Sequence, residues 1–337
     1  MQRRTAIALI CGLAAVAAAV IYAGAGAVLQ AVASLRVSGL LVLVLLHVPS
    51  VVLMGLGWWF ASGNEPPAAQ SKFVWARFVR DAAGELLPFL QLGGVVFGLR
   101  ALGRGRTLLL GAVSASIDGV VELAAKLPYV VAALLALATL APRSRLAELL
   151  WLALLATAVT VAIFLFARRS FSASLQRMAQ AVSARWPAML DLDEGGGGGL
   201  DVQEVFQRIL SQRGRLWWAF TLHMCCWFLG AAEMWVTFRL LGADLTVAQA
   251  LAIDGAVVGL RTFGWVVPGA AGVQEASYML VAALFGIPPA VAIAASFARR
   301  GRDLVLGIGT FGVAALGDAD VGLLTLTMPK RQRPRAR

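Results

Sequence analysis

The chain has 337 residues, of which 60% are hydrophobic and 14% are charged, and its mean hydropathy is +0.80. A soluble domain carries about 25% charged residues, so this composition excludes the soluble globular class and predicts an integral membrane protein. Lipid leaves no partner for an open sheet edge, and no alternating barrel pattern is visible, so the fold class should be all-α.

The net charge of +11 does not indicate a nucleic-acid partner. The basic residues gather at the ends of apolar runs and in loops, as the positive-inside rule describes, and no nucleic-acid recognition motif accompanies them. Cys11, Cys225 and Cys226 lie in apolar runs, while His47 and His223 are isolated in the sequence. Metal ligands come in clusters, so we expect neither a metal nor another cofactor.

Charge and composition divide the chain into four parts. These are a first membrane half (1–169), a cytoplasmic loop (170–215), a second membrane half (216–327) and a basic cytoplasmic tail (328–337). The loop contains five consecutive glycines at 195–199, which are typical of a flexible linker. Because this topology places 20 of the 29 basic residues on the cytoplasmic side and four on the outer side, both termini should be cytoplasmic.

Six apolar runs are long enough to be full spans. They are residues 5–33, 39–60, 107–140, 146–167, 216–241 and 290–326. For the first run a cleavable signal peptide is the alternative, because small residues at 23–27 follow a basic flank. Its length favours a retained span. Glu233, within the fifth run, should face the bundle interior.

Two further segments are interrupted and predict re-entrant or broken helices. Residues 82–102 contain Gly84, Glu85 and Pro88, and we expect them to form a re-entrant hairpin entering from the cytoplasm. The preceding residues, 71–80, alternate apolar and basic side chains, which predicts a surface-lying segment, with a solvated loop as the alternative. If both interrupted segments cross the bilayer, the span count becomes eight.

The second interruption separates the short apolar pieces 246–262 and 276–285. Its sequence is Pro268-Gly269-Ala270-Ala271-Gly272-Val273-Gln274-Glu275. Proline blocks helix continuation, glycine weakens a helix, and a carboxylate is costly in hydrocarbon. Their combination predicts the lining of a protected cavity.

A polar stripe runs along the span 107–140. Ser114, Asp118, Glu122 and Lys126 follow one another at intervals of four residues, which places them on one slowly drifting face of a helix. The stripe has two carboxylates but one lysine, so one negative charge needs a partner elsewhere in the bundle. The alternative is an interhelical salt bridge that only fixes packing.

The two halves also share an order of parts. In each, an interrupted segment precedes a helix with intramembrane charges, and the predicted topology inverts one relative to the other. Such inverted repeats place a substrate site near the midplane, although coincidence among small residues stays the alternative. Across that centre, Glu85, Asp118 and Glu122 could pair with arginines of the last span. Within that span, Arg299 and Asp303 have i,i+4 spacing.

The stretch Pro268 to Glu275, with Phe285-Gly286-Ile287-Pro288 and Arg299-Arg300-Gly301-Arg302-Asp303 after it, resembles the lysylphosphatidylglycerol synthase transmembrane (flippase-like) family. Gly84-Glu85 is similar to that family's Gly-Glu segment. The Gln before Glu275 and the Arg-x-x-Arg-Asp run look most like the hopanoid-biosynthesis-associated HpnL-type branch. The resemblance implies a multi-pass protein of the bacterial inner membrane that handles lipids, and its branch suggests a hopanoid.

Three functions stay open. The first is a lipid translocase or lipid-export protein. The second is a non-catalytic scaffold for a lipid-biosynthesis complex. The third is a membrane enzyme using Glu275 or Asp118 as a general base. The aminoacyl-transferase domain of the multiple peptide resistance factors has no counterpart here, so we expect no lysyl transfer and no enzyme. Without a P-loop, transport would be passive, ion-coupled or driven by a partner.

The expected partners are membrane lipids and lipid-biosynthesis or export proteins. The residues expected to bind lipid are Glu85, Asp118, Glu122, Pro268, Gly269, Gly272, Glu275, Arg299, Arg300, Arg302 and Asp303.

Overall fold

The structure is a computed structural model that describes residues 2–86, 91–103, 105–142, 201–261 and 272–317 and, between 148 and 166, residues 148, 151–152, 154–163 and 166. Within these ranges the regular structure is helical, as the sequence predicts. The helices are α1 (Gln2–Ala23), α2 (Ala25–Ala61), α3 (Gln70–Leu86), α4 (Gln91–Leu102), α5 (Gly105–Leu140), α6 (Leu154–Ile163), α7 (Val202–Ser211), α8 (Arg213–Leu240), α9 (Val247–Arg261), α10 (Val273–Ala283) and α11 (Pro289–Gly317).

Among the described helices, three are long and apolar enough to cross a membrane. They are α2, the Leu109–Leu140 part of α5, and α8. Helix α11 has 29 residues, a length of about 44 Å, but it carries a run of charges at its centre. The number of full crossings stays a prediction.

The first two predicted spans divide differently from expectation. The chain is already helical from Gln2, and the first break falls at Gly24, whose φ of 84° lies in the left-handed region that glycine tolerates. A second break interrupts α2 at Arg36, where φ is 54°. The boundary predicted at residues 33–39 is therefore a kink inside α2.

The first interrupted segment is a hairpin of α3 and α4, and it begins earlier than predicted. A Cβ on Gly94 would lie 2.5 Å from the Arg80 carbonyl oxygen, and one on Gly98 would lie 2.9 Å from that of Ala76. Later residues of α4 therefore meet earlier residues of α3, so the two helices are antiparallel and in close contact, as small-xxx-small motifs allow.

The surface-lying prediction for residues 71–80 is wrong. Phe73, Ala76, Arg77 and Val79 are buried, and α3 packs against α2, α4 and α11. Lys72 is exposed, but Arg77 and Arg80 point into the bundle, where they bind carboxylates.

The second interruption lies between α9 and α10, and residues 262–271 are outside the described ranges. Helix α9 packs directly on α5, because Gly255 sits against Ala133 so closely that a Cβ would overlap it. Helix α10 packs on α9 and α11. We call α3–α4 the first helix pair and α9–α10 the second helix pair.

An apolar core joins these parts. Helix α2 runs along α8, and the largest cluster combines side chains from α2, α5, α8, α9 and α10, including Leu43, Tyr129, Phe238, Ile253 and Tyr278. Burying one such side chain stabilises the fold by about 1.5–3 kcal/mol relative to water.

Helix α7 is a docked part of the predicted cytoplasmic loop. Asp201 caps its first turn, and Phe206 and Ile209 pack on α5. On its exposed side, Arg208 donates hydrogen bonds to Glu204 and Glu65. The hydrogen bond to Glu204 and the charge of that carboxylate raise the pKa of Arg208 above its ordinary value.

Candidate functional site

Buried charges connect the first helix pair to α5 and α8. Arg77 Nη1 lies 3.0 Å from Glu122 Oε2 and 3.9 Å from Asp118 Oδ2, and Arg80 Nη1 lies 3.6 Å from Asp118 Oδ2. From α8, His223 Nε2 lies 2.8 Å from Asp118 Oδ1. We call Arg77, Arg80, Asp118, Glu122 and His223 the first ion cluster.

The polar stripe of α5 holds this cluster together. Ser114, one turn before Asp118, accepts a hydrogen bond from the buried Trp58 indole at 3.0 Å. The stripe therefore faces α2, α3 and α8, which confirms that its carboxylates have partners elsewhere in the bundle. Paired in this way, the charges avoid the large cost of isolated burial.

The first ion cluster contains polar atoms that no hydrogen bond satisfies. They are His223 Nδ1, Asp118 Oδ2 and Arg80 Nη1, and the side chains of His223 and Asp118 are completely buried. Unpaired buried polar atoms are uncommon in folded proteins and mark places where water, ions or protons act.

The centre of α11 binds the second helix pair. Arg299 Nη1 donates to Asp254 Oδ1 of α9 at 2.9 Å and to the Tyr278 hydroxyl of α10 at 3.3 Å. The other Asp254 oxygen accepts a hydrogen bond from Tyr129 of α5. This aspartate is therefore shared by three helices.

The carboxylate of the Pro-Gly-x-x-Gly-x-x-Glu segment is fully engaged. Arg300 Nε donates to Glu275 Oε1 at 2.9 Å, and Ser296 donates to the same oxygen at 3.0 Å. The backbone N–H of Gly272 donates to Glu275 Oε2 at 2.9 Å. Gly272 has a φ of 80°, which only glycine adopts readily, so the residue suits the sharp entry into α10. We call Asp254, Glu275, Tyr278, Arg299 and Arg300 the second ion cluster.

The last arginine of the run turns toward α8 and α2. Arg302 binds Glu233 and donates to Asp303 Oδ1 at 2.6 Å. The second Glu233 oxygen lies 2.9 Å from His47 Nδ1. Glu233 is buried, as predicted for a lone carboxylate in a span. The i,i+4 spacing of Arg299 and Asp303 does not mark a pair, because Arg302 binds Asp303 and Arg299 turns to Asp254.

The expected pairing of carboxylates from one half with arginines from the other is wrong for Asp118 and Glu122. Both bind arginines of α3, in their own half, and Arg299 and Arg300 bind carboxylates of α9 and α10. The physical reason is proximity, because each helix pair packs on the long helix that follows it. In both halves the hydrogen-bonded partners stand 45 residues apart, Arg77 with Glu122 and Asp254 with Arg299.

A small cavity with both polar and apolar side chains in its wall lies where the tip of the first helix pair meets α11 and α2. Its volume is about 30 Å³, and its polar lining consists of His47, Asp81, Glu85, Asp303 and Thr310. That volume is enough for a water molecule. Asp303 is the middle residue of α11, and Leu86 at the tip of α3 touches Gly307. We call this space the central cavity.

A larger apolar groove adjoins the central cavity. It measures about 790 Å³ between α2, α3 and α11, and it shares Phe78, Leu306 and Thr310 with the cavity. Its other walls include Leu56, Val74, Trp75 and Val313. A volume of this size falls within the range of small-molecule sites, and its walls suit a hydrocarbon chain.

The structure brings nine of the eleven predicted site residues to three neighbouring places. Asp118 and Glu122 lie in the first ion cluster, Glu275, Arg299 and Arg300 in the second with Gly272 beside them, and Glu85 and Asp303 at the central cavity, where Arg302 binds Asp303. Pro268 and Gly269 lie outside the described residues.

Sequence reasoning left out seven further site residues, which are His47, Arg77, Arg80, Asp81, His223, Glu233 and Asp254. The missed signal was their charge or imidazole within apolar surroundings.

In the part of the chain that the structure describes, no group of three or more His, Cys, Asp and Glu residues is arranged to hold a metal ion. Two acidic side chains of the central cavity bind arginines. Arg302 contacts Asp303, and Arg77 contacts Asp81 at 2.9 Å. Two of the three carboxylates of the cavity therefore take part in ion pairs.

Comparison with known proteins identifies the family. The sequence model of the lysylphosphatidylglycerol synthase TM region matches residues 7–309, a range that includes both helix pairs, both ion clusters and every residue that lines the central cavity except Thr310. Searches of curated proteins and of solved structures give no significant match. The chain therefore belongs to the lysylphosphatidylglycerol synthase TM region family, a family of lipid-related multi-pass membrane proteins.

Proposed function

We propose that the protein is a flippase-like lipid translocase of the bacterial inner membrane, with both termini in the cytoplasm and a hopanoid lipid as its substrate. The observation that carries this proposal is the contact between the central cavity and the apolar groove. A lipid needs such a pair of environments, because its head group must leave water while its tail stays in hydrocarbon.

The arrangement of the two helix pairs supports the same proposal. Each pair is interrupted, each is bound to the following long helix by buried charges, and each reaches the middle of α11. Interrupted segments in matching positions of two halves are typical of transporters with inverted repeats. The hopanoid part rests on Gln274-Glu275 and the run from Arg299 to Asp303, which look like the HpnL-type branch.

The central cavity is too small for a lipid head group, so translocation requires movement. The first helix pair is the element that can open it, because the tip of α3 forms one wall and α11 forms the opposite wall. Movement of this tip away from Asp303 would join the cavity to the groove. In this mechanism the protein moves a lipid without chemical change, and we propose no enzymatic step.

The test is lipid movement in proteoliposomes. Vesicles of phosphatidylglycerol and phosphatidylethanolamine would carry a trace of an NBD-labelled hopanoid polyol or, separately, NBD-labelled phosphatidylglycerol, with dithionite reporting access to the inner leaflet. We expect the wild type to move a probe, and Glu275→Gln and Arg302→Ala to abolish movement while the protein stays folded. The matched controls are Glu204→Gln and Arg239→Ala, which change exposed residues.

Unchanged movement in both Glu275→Gln and Arg302→Ala would contradict the site assignment. Failure of the wild type to move either probe, with no lipid recovered from the purified protein by mass spectrometry, would contradict the translocase.

A scaffold for a lipid-biosynthesis complex is the second candidate, and the mutual pairing of the buried charges favours it. Most charges in both ion clusters have an opposite partner, as purely structural charges would. Neutralising Glu85, Asp118 and Glu275 together separates the two functions. Lipid delivery in cells that survives this triple change would favour the scaffold, whereas its loss in a folded protein favours the translocase.

A further inference from the structure

The geometry points to a proton site in the central cavity, with Glu85 as the carboxylate that takes up and releases the proton during lipid movement. This inference rests on the proposed translocase and names its coupling ion. No covalent bond other than the O–H bond of the carboxyl group forms or breaks. The proton comes from water on one side of the membrane and returns to water on the other.

Glu85, which is exposed and lies at the edge of the cavity, is the cavity carboxylate without an ion-pair partner. Arg77 binds Asp81 and Arg302 binds Asp303, whereas no described cation lies within 4.0 Å of Glu85. Its charged surroundings are Asp81 on its own helix, Asp303 and Arg300 on α11 and Arg261 on α9. Three carboxylates around one small space repel one another, so holding a proton there relieves the repulsion.

The remaining neighbours of the cavity are suited to proton exchange. His47 from α2 contacts Glu233 through Nδ1 at 2.9 Å and also lines the cavity. Helix α4 carries one charged residue, Arg100, and it lies toward the far end of the hairpin, since Gly98 rests on Ala76. The cavity itself has room for the water molecule that a proton needs as a carrier.

A second observation, independent of the carboxylates, points to the same ligand. The first ion cluster connects to the cavity through Arg77, which binds Asp81 with Nε and faces Asp118 and Glu122 with Nη1. At the inner end of this route, His223 Nδ1 and Asp118 Oδ2 are completely buried and without a hydrogen bond. Buried atoms of this kind indicate a place for water or an ion, and only the Arg77 side chain separates them from Asp81 at the cavity.

Protonation would control the tip of the first helix pair. A charged Glu85 is held near the central cavity, because moving it along the apolar groove would place a charge in hydrocarbon. A neutral Glu85 can leave the cavity with the tip of α3. Opening toward the groove would then require a bound proton, which couples lipid movement to the pH difference across the membrane.

The first measurement does not depend on transport. Infrared difference spectra of the protein in lipid, recorded as the pH is changed, should show a protonated carboxyl C=O band that Glu85→Gln removes and Glu204→Gln retains. If the wild type shows no titrating carboxyl band, or if Glu85→Gln leaves it unchanged, the proton site is refuted.

The second measurement links the site to transport. With a pH difference of one unit across the vesicles, the steady-state leaflet ratio of the NBD-labelled probe should shift by up to about tenfold for one coupled proton, and encapsulated pyranine should report proton flux. Glu85→Gln should remove both responses, and Glu204→Gln should keep both.

Probe movement that ignores the pH difference in the wild type overturns proton coupling and leaves the translocase standing. Absence of probe movement under every gradient overturns the translocase and its coupling together.

Discussion

The two helix pairs use the same arrangement of charge with the signs exchanged. In the first pair the helix α3 supplies arginines and the following long helix α5 supplies the carboxylates. In the second pair α9 and α10 supply the carboxylates and the following long helix α11 supplies the arginines. Arg77 and Glu122 are 45 residues apart in the sequence, and so are Asp254 and Arg299. The spacing is the same in both pairs, but the basic residue comes first in one and the acidic residue comes first in the other.

The difference lies in the kind of contact that holds each pair. The first pair is closed on itself by Gly94 and Gly98, contacts α2 and α11, and binds α5 through the ion pairs of Arg77 and Arg80. The second pair is fixed to α5 through Gly255 and through the Tyr129 hydrogen bond to Asp254. We infer that close packing makes α3 and α4 one unit, whereas α9 is fixed to α5.

The largest effect on stability is expected from removing the central cation of the first pair. Arg77→Met leaves Asp81, Asp118 and Glu122 without that guanidinium, and losing one partner of a buried ion pair costs about 3–5 kcal/mol. We expect a loss of this size in the free energy of unfolding, measured by equilibrium unfolding in SDS mixed micelles.

The control for Arg77→Met is a double-mutant cycle. Glu122→Gln should cost less in the Arg77→Met background than in the wild type, with a coupling of about 0.5–3 kcal/mol. Additive effects would show that the Arg77 contact to Glu122 contributes nothing of its own.

A smaller effect is expected at the equivalent position of the second pair. In Asp254→Asn the amide oxygen still accepts hydrogen bonds, but the charge opposite Arg299 is gone, and weakening a bond to a charged group costs about 1.5–3 kcal/mol. The same unfolding measurement applies, and the exposed Asp244→Asn is the matched control. A cost larger than that of Arg77→Met would reverse the proposed ranking of the two clusters.

The smallest effect is expected from a substitution in the first pair that changes packing and leaves the charges unchanged. Gly94→Ala brings a Cβ within 2.5 Å of the Arg80 carbonyl oxygen. Overpacking costs about 1–3 kcal/mol, and the helix preference of alanine returns about 1 kcal/mol, so we expect a net loss of about 0–2 kcal/mol. Gly84→Ala, whose Cβ meets no atom within 4 Å, should be neutral or stabilising. Equal effects at both glycines would contradict close packing of α3 on α4.

The sequence predicts the helical class, the membrane location and most of the polar positions, because each depends on local pattern. The four-residue spacing from Ser114 to Glu122 shows that these residues share a helix face, and the structure confirms that this face is internal. The Pro-Gly segment predicts an interruption before α10, and Gly272 and Glu275 form the start of that helix.

The partners of those residues could not be predicted in the same way. Ion pairs between helices join positions 25 to 186 residues apart, and composition says nothing about such distances. Arg77 and Arg80 resemble interfacial residues in the sequence, since alternating basic and apolar side chains suit a membrane surface as well as a buried helix. His47 and His223 appear isolated until folding brings Glu233 and Asp118 to them.

The charged run in the middle of α11 has a consequence for how the bundle can move. Its members reach in different directions, Arg299 to α9, Arg300 to α10 and Arg302 to α8, with Asp303 at the cavity. A helix turns by about 100° per residue, so sliding or rotating α11 by one position would break every one of these contacts at once. We therefore expect α11 to keep its position along its axis. The helices around it must break and remake their ion pairs with α11 in discrete steps.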